Sequence, residues 1–281
     1  MYEILILKAN FLDIGTIDVE KTFEIGNFHA YTGEFDEELL AEIEAKDEVN
    51  SLEPDSEASL TALTEVGDQP WGLASLSSRT KLSSVDVDHQ TYIYDTSAGT
   101  GTFAYALDSG IRISHPDFQG RAIKGINAWP EVAFDDDFGH GTHVAGTIGS
   151  LRFGVAKNIT IVDVKTARVA YSTVAKIIEA LEWSVQNITN TPVGLATTAT
   201  STTLNNAVDA ATSLGVFVVV GAGNDGKDAS TRSPASAPTA FTVGAIDIIS
   251  TCATWSNFGP FVDVFAAGGA GSINFVVPRW D

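Results

Sequence analysis

The chain has 281 residues, 44% hydrophobic and 19% charged, with a formal net charge of −20. That much apolar material can bury a large core, no run approaches the roughly 18 uncharged apolar residues of a membrane-spanning helix, and an acidic surface without a basic stripe excludes a nucleic-acid partner. The charge is uneven: residues 1–64 hold sixteen Asp and Glu against three Lys and Arg, so −13 of the −20 lies there, which suggests two units.

Residues 2–8, "YEILILK", alternate like a strand, and "TFEIGNFHAYTGEF" reads as a strand pair around Gly26. "DEELLAEIEAKDEV" follows as an acidic helix with Asp36 near its start, so the first unit is a small α+β domain. The first residues carry no basic n-region, which argues against a secretory signal. "EPDSEASLTALTEVGDQP", residues 53–70, is polar with prolines at both ends and reads as a linker or exposed cleavable segment.

Beyond it the pattern becomes strand, loop, helix, repeated. "GTFAYALDSGI", "ITIVDVKTA", "GVFVVVGAGN", "AFTVGAI" and "FVDVFAAG" are short runs rich in Val, Ile and Phe. Between them "HVAGTIGSL", "STVAKIIEALEWSVQNI" and "TTLNNAVDAATSLG" have helical spacing. This alternation predicts an α/β fold, a mostly parallel sheet with helices on both faces, whose functional groups gather at the carboxyl ends of strands. Cys252, the one cysteine, excludes an internal disulfide framework and is expected to be a buried, inert thiol. Asn158 and Asn187 each begin an "NIT" sequon, relevant only to a chain that enters a secretory pathway.

Three stretches carry candidate chemistry. Asp108, closing the apolar strand "YALD", is placed to accept a hydrogen bond from a neighbouring side chain or simply to cap the next turn. In "GHGTHVAG", His140 heads an apolar helix and can point into a cleft, while His143 lies one turn in. Metal ligation wants histidines at i and i+4 with a third acidic ligand, and the spacing here is i and i+3. "DDD" at 135–137 lacks the alternating ligands and closing Glu of a calcium loop, so no metal or cofactor is expected. Asn224, on the glycine-flanked turn of "VVVGAGNDG", offers an amide that can donate to a developing oxyanion or merely shape an ordinary turn.

In the order Asp, His, Asn, these stretches resemble the subtilisin-like serine proteases, most closely the secreted fungal alkaline proteases near proteinase K. "QPWGLASLS", "HPDFQGRA", "GHGTHVAGTIGS", "SPASAPTAFTVGAID" and "WSNFGPFVDVFAAG" carry the resemblance. "TFEIGNFHAYTGEFDEELLAEIEAKDEVNSLEPD" in turn resembles the second half of the family's inhibitory propeptide. The resemblance implies a partial propeptide over residues 1–61, a peptidase domain with the subtilisin-like three-layer fold over 62–270, and an unrelated tail over 271–281. It further implies Asp108 as the carboxylate that holds the imidazole, His140 as general base, Asn224 as oxyanion donor and Gly221, Ala222 and Gly223 as the floor of a substrate pocket, with His143 structural.

The family's Gly-Thr-Ser-Met-Ala segment occurs nowhere in the 281 residues, and Ser272 in "GAGSIN" lacks its flanking pattern and following helix, so no nucleophile is assigned. "PVGLATTATS" stands where the family has the strand that walls the cleft, and Ala267 where it has a proline. The expectation is therefore an extracellular, monomeric serine endopeptidase by descent, C-terminally truncated and inactive as written. Its partners would be polypeptide substrates or related proteases and its own propeptide. The alternative is a non-catalytic pseudoprotease or propeptide-like protease inhibitor.

Overall fold

In the computed structural model, residues 2–7, 19–54, 63–82, 89–169, 171–187, 192–195 and 200–269 are described. The chain forms two compact units, residues 1–60 and 61–281.

In the first, β1 (Tyr2–Leu7), β2 (Val19–Ile25), β3 (Phe28–Glu34) and β4 (Val49–Pro54) make an antiparallel sheet in the order β2-β3-β1-β4. The β2–β3 turn passes through Gly26 at φ +61°, a conformation that costs glycine nothing. Asp36 begins α1 (Glu37–Glu44) by accepting from the Leu39 amide at 2.9 Å, and Glu37 and Glu38 complement the positive helix end. Leu39, Leu40 and Ile43, three and four residues apart, form the stripe that packs on Tyr31 and Phe35.

The second unit is built on a seven-stranded parallel sheet. Its strands are β7 (Phe103–Asp108), β8 (Ala122–Asn127), β9 (Thr160–Lys165), β10 (Pro192–Leu195), β11 (Phe217–Gly221), β12 (Phe241–Ile246) and β13 (Val264–Ala267), in the order β13-β12-β11-β10-β7-β9-β8. Successive side chains of a strand face opposite ways, so Ala104 and Ala106, with Ile161 of β9, pack in one cluster with Ala145 of α3 (His140–Gly149). Tyr105 and Leu107 join Val162, Val164, Val218 and Val220 under α4 (Val174–Asn187) and α5 (Thr202–Ser213) on the other face. Burial on both faces is why these strands read as continuous apolar runs. From β7 the chain crosses to the edge strand β8, comes back to β9 between the two, and then crosses to β10 on the other side of β7. The exit of β7 therefore opens into the crevice where the order of strands reverses.

Two expectations are corrected. Residues 63–69, read as linker, form β5 (Leu63–Gln69), paired antiparallel with β6 (Gln90–Asp95) from Leu63↔Asp95 to Gln69↔Gln90. The pairing partner lies more than twenty residues away, beyond any local pattern, and α2 (Trp71–Ser77) follows β5 directly. The middle of that stretch, residues 55–62, is outside the described residues. Cys252 is exposed. It follows a turn at 247–250 and pairs with Ile246 through an isolated bridge, and it is the next residue, Ala253, that turns inward.

One charged pair sits inside the sheet. Asp163 of β9 is fully buried and accepts from Lys124 Nζ of the neighbouring β8 at 2.7 Å. Lys124 also donates to the Ile111 carbonyl and lies 4.5 Å over the Phe134 ring. Among the described residues the second carboxylate oxygen of Asp163 accepts no hydrogen bond of ordinary geometry, although the Ile111 backbone and the Lys165 charge also favour the ionised carboxyl. Burial outweighs the lysine and pushes the Asp163 carboxyl up from 3.8 to about 6.

Lys124→Met should therefore cost ~3–5 kcal/mol in urea unfolding, because it strands a buried charge, whereas the double replacement Lys124→Met, Asp163→Leu should recover most of it. Since Asp163 has a raised pKa of about 6 in the fold, its stabilising contribution is full below pH 3.8 and lost as the pH rises through 6. Asp163→Asn should remove that component from the stability profile.

Candidate active site

Asp108 is the last residue of β7, 7% exposed, at the strand exit beside the crevice. His140 is the first residue of α3, with a side chain 51% exposed. Its Nδ1 donates to both carboxylate oxygens of Asp108, at 2.8 and 2.9 Å. That bond sets the tautomer: the proton stays on Nδ1 and Nε2 is the nitrogen able to accept another. The hydrogen bond from the imidazole to Asp108 raises the His140 pKa, burial opposes it, and the charges of Asp108 and Asp136 add to the rise. His143 is half-buried and shifts the opposite way, lowered by burial and by the neighbouring His140. The two histidines thus differ in chemistry although they share a helix.

The pair exists because α3 starts hard against the end of β7. A Cβ on Gly141 would stand 2.2 Å from the Gly110 carbonyl oxygen and 3.1 Å from Asp108 Cβ, so only glycine fits in this first turn. Gly110, at φ +112°, is held in the same way, since its Cβ would meet the Asp135 carbonyl at 2.6 Å. The Asp108 carbonyl accepts from the amides of Thr166 and Ala167, which ties β7 to the exit of β9. Lys165, with no exposed surface, donates from Nζ to the Ser109 carbonyl and, at 3.1 Å, to Asp137 Oδ1. The sequence reading did not single out Lys165 or Gly141. The glycine has a local signal, its place immediately after the histidine; the lysine, inside an apolar strand, is recognisable only by its partners.

β11 delivers the second group. Its exit is two strand positions from that of β7, about 10 Å across the sheet. Gly221 is exposed, with open space where a Cβ would point; the methyl of Ala222 is buried against Ala229 and Ala235, so only its backbone is available to a cleft; Gly223 turns the chain at φ +109°. Asn224 is exposed on the loop that follows. The loop is shaped by Asn257, fully buried, whose amide donates to the Ala222 carbonyl at 3.0 Å and whose oxygen accepts from the amides of Asp225 and Lys227 at 3.1 and 3.0 Å. Asn257 also excludes any side chain at 223, because a Cβ there would lie 2.3 Å from its Nδ2. It lies in "WSNFGPF", and nothing local marks it as the organiser of a loop thirty residues earlier.

Ser272, and residues 196–199 of the stretch compared with the cleft wall, lie outside the described residues. Among the described residues no three His, Cys, Asp or Glu side chains converge on a metal-sized site, and no helix is long and apolar enough to cross a membrane.

The subtilase family profile matches residues 99–278, and the peptidase inhibitor I9 profile matches residues 7–61. A subtilisin-like protease of Coccidioides posadasii (strain C735) is 43% identical over 263 residues, covering 90% of this chain and 64% of that protein. Alkaline protease 1 of Aspergillus clavatus is 42% identical over 262 residues, covering 89% of this chain and 62% of that protein. The chain thus spans a little under two thirds of the length of these relatives. Among solved structures, a cold-adapted subtilisin-like serine proteinase superposes with a TM-score of 0.64 at 33% identity, over 72% of this chain and 73% of that one.

Asp108→Asn should lower the His140 titration midpoint in an NMR titration, because it removes both the hydrogen bond and the charge that raise it. Asn257→Leu leaves one carbonyl and two amides of the loop without partners and should cost ~3 kcal/mol or more in denaturant unfolding.

Proposed function

Because this chain belongs to the subtilase family, we propose that it derives from a secreted serine endopeptidase in which Asp108 holds the imidazole, His140 is the general base and Asn224 donates to the oxyanion. The observation that carries the reading is the Asp108–His140 pair: a buried carboxylate at a strand exit, bonded to Nδ1 of a half-exposed imidazole whose other nitrogen is kept as a base. In such chemistry Nε2 takes the proton of a serine hydroxyl as its oxygen attacks the scissile carbonyl carbon, and the carbonyl electron pair moves onto oxygen. Collapse of that oxyanion expels the amine, which receives the proton back from Nε2, and water then repeats the cycle on the acyl-enzyme. A donor at Asn224 bonds the oxyanion more strongly than the carbonyl that precedes it, which is what lowers the barrier. The floor of the acyl-side pocket is assigned to Gly221 and Gly223 and to the backbone of Ala222.

We assign residues 1–61 to an inhibitory propeptide and 62–270 to the peptidase, a division supported by the inhibitor match at 7–61 and by the compact unit that ends at residue 60. The inhibitor match also supports a second reading, in which the chain binds a protease, its own peptidase unit or a related one, without cleaving peptides.

The coding frame read past residue 269 decides between them. A frame for Gly-Thr-Ser-Met-Ala, with a product that labels with a fluorophosphonate and hydrolyses casein, is the expected result. In that product Asp108→Asn should lower kcat by ~10⁴, with its geometry intact. Unrelated downstream sequence, no labelling, and inhibition of a related subtilase by the 281-residue chain would overturn the peptidase reading in favour of the second.

A further inference from the structure

The acidic run 135–137 has neither the spacing of a metal loop nor a part in the proton transfers above, yet its middle member is one of the most heavily bonded side chains in the molecule. Asp136 Oδ1 accepts from Ser109 Oγ at 2.8 Å, from the Gly139 amide at 2.8 Å and from the Phe138 amide at 3.1 Å. Its Oδ2 accepts from the Thr142 amide at 2.9 Å and from Thr142 Oγ1 at 2.5 Å. These partners lie on both sides of the crevice. Ser109 follows Asp108 at the exit of β7, donates its amide to Asp108 Oδ1 at 2.7 Å, and accepts from the Gly141 amide at 3.0 Å. Thr142 is in the first turn of α3 and accepts from the Arg112 amide at 3.0 Å.

α3 needs such a partner. Its N-cap is Gly139, which has no side chain to satisfy the first amides of the helix. Asp136 supplies that acceptor from outside and, in the same bonds, fastens the helix to residues 109–112. Phe138, whose amide it holds, faces the His140 ring with 6.5 Å between centroids. The buried side of His140 is therefore flanked by groups that Asp136 either holds or neighbours.

We propose that Asp136 is a positioning residue for the Asp108–His140 pair: its carboxylate clamps the exit of β7 to the first turn of α3 and so fixes the imidazole against Asp108. Burial pushes the Asp136 carboxyl up, but its Thr142, Gly139 and Ser109 donors pull it below the ordinary value, so it remains a carboxylate. An amide in its place has one acceptor oxygen for two sets of donors, and turns an NH2 toward the other set. Loss of the negative charge also removes one of the two carboxylates that raise the imidazole pKa, the other being Asp108.

The catalytic meaning of this clamp rests on the peptidase reading; the clamp itself does not. The test is NMR of the 281-residue chain with labelled histidine, reading the His140 titration midpoint and the downfield proton on Nδ1. Asp136→Asn is expected to lower the midpoint and broaden or abolish the downfield proton. Asp135→Asn, whose side chain only accepts from the Asp136 amide, is expected to leave both unchanged. A folded Asp136→Asn protein with wild-type midpoint and proton overturns the proposal. If that variant does not fold, Thr142→Val decides: it keeps the carboxylate, removes one of its five donors together with the acceptor of the Arg112 amide, and should speed exchange of the Nδ1 proton about tenfold, the equivalent of one hydrogen bond. Unchanged exchange in folded Thr142→Val would likewise refute the clamp. Neither readout requires peptide hydrolysis, so a chain without peptidase activity leaves this test standing.

Discussion

The approach of α3 to the exit of β7 is the contact on which the rest of the site depends. Two glycines make it possible: Gly141, where a Cβ would stand 2.2 Å from the Gly110 carbonyl oxygen, and Gly110, pressed in turn against the Asp135 backbone. At that distance an imidazole on the first residue of the helix reaches the carboxylate that ends the strand without leaving the helix, and the bond at 2.8 Å follows from the packing. A helix starting one side chain further out would have placed the same two residues beyond hydrogen-bonding range. Backbone proximity is thus the cause, and the paired ionisable groups are its consequence.

Such an approach buries polar backbone, and the structure satisfies that backbone with amides and side chains drawn from distant parts of the chain. Lys165 covers the Ser109 carbonyl, Thr166 and Ala167 cover the carbonyl of Asp108, and Asn257 closes the loop that carries Asn224. Lys165 and Asn257 are buried polar side chains with hydrogen-bond partners, which is the condition under which burial adds rigidity instead of instability.

Two aspartates show how far environment decides chemistry. Asp136 has five donors and remains ionised despite burial; Asp163, deeper in the sheet with Lys124 as its one close donor among the described residues, is pushed up to about 6. The difference lies in the number of donors that replace water, not in residue type. Asp136 belongs to the exit of the crevice, where loop amides are plentiful. Asp163 belongs to the middle of a strand, where the backbone amides are already committed to the ladder.

The sequence by itself determined what depends on neighbours in the chain. An apolar run ending in Asp108, a glycine turn before His140 and the stripe of α1 after Asp36 are local patterns, and strand exits and helix starts follow from them. The resemblance of those same stretches was enough to reach the family. What the tertiary structure decided depends on pairings between residues far apart in the chain. These include the β5–β6 strands, the organising role of Asn257 and the clasp of Asp136 on Ser109. Hydrogen-bond partners more than twenty residues apart leave no periodicity to read, because the energy of a buried polar group is set by what surrounds it in space.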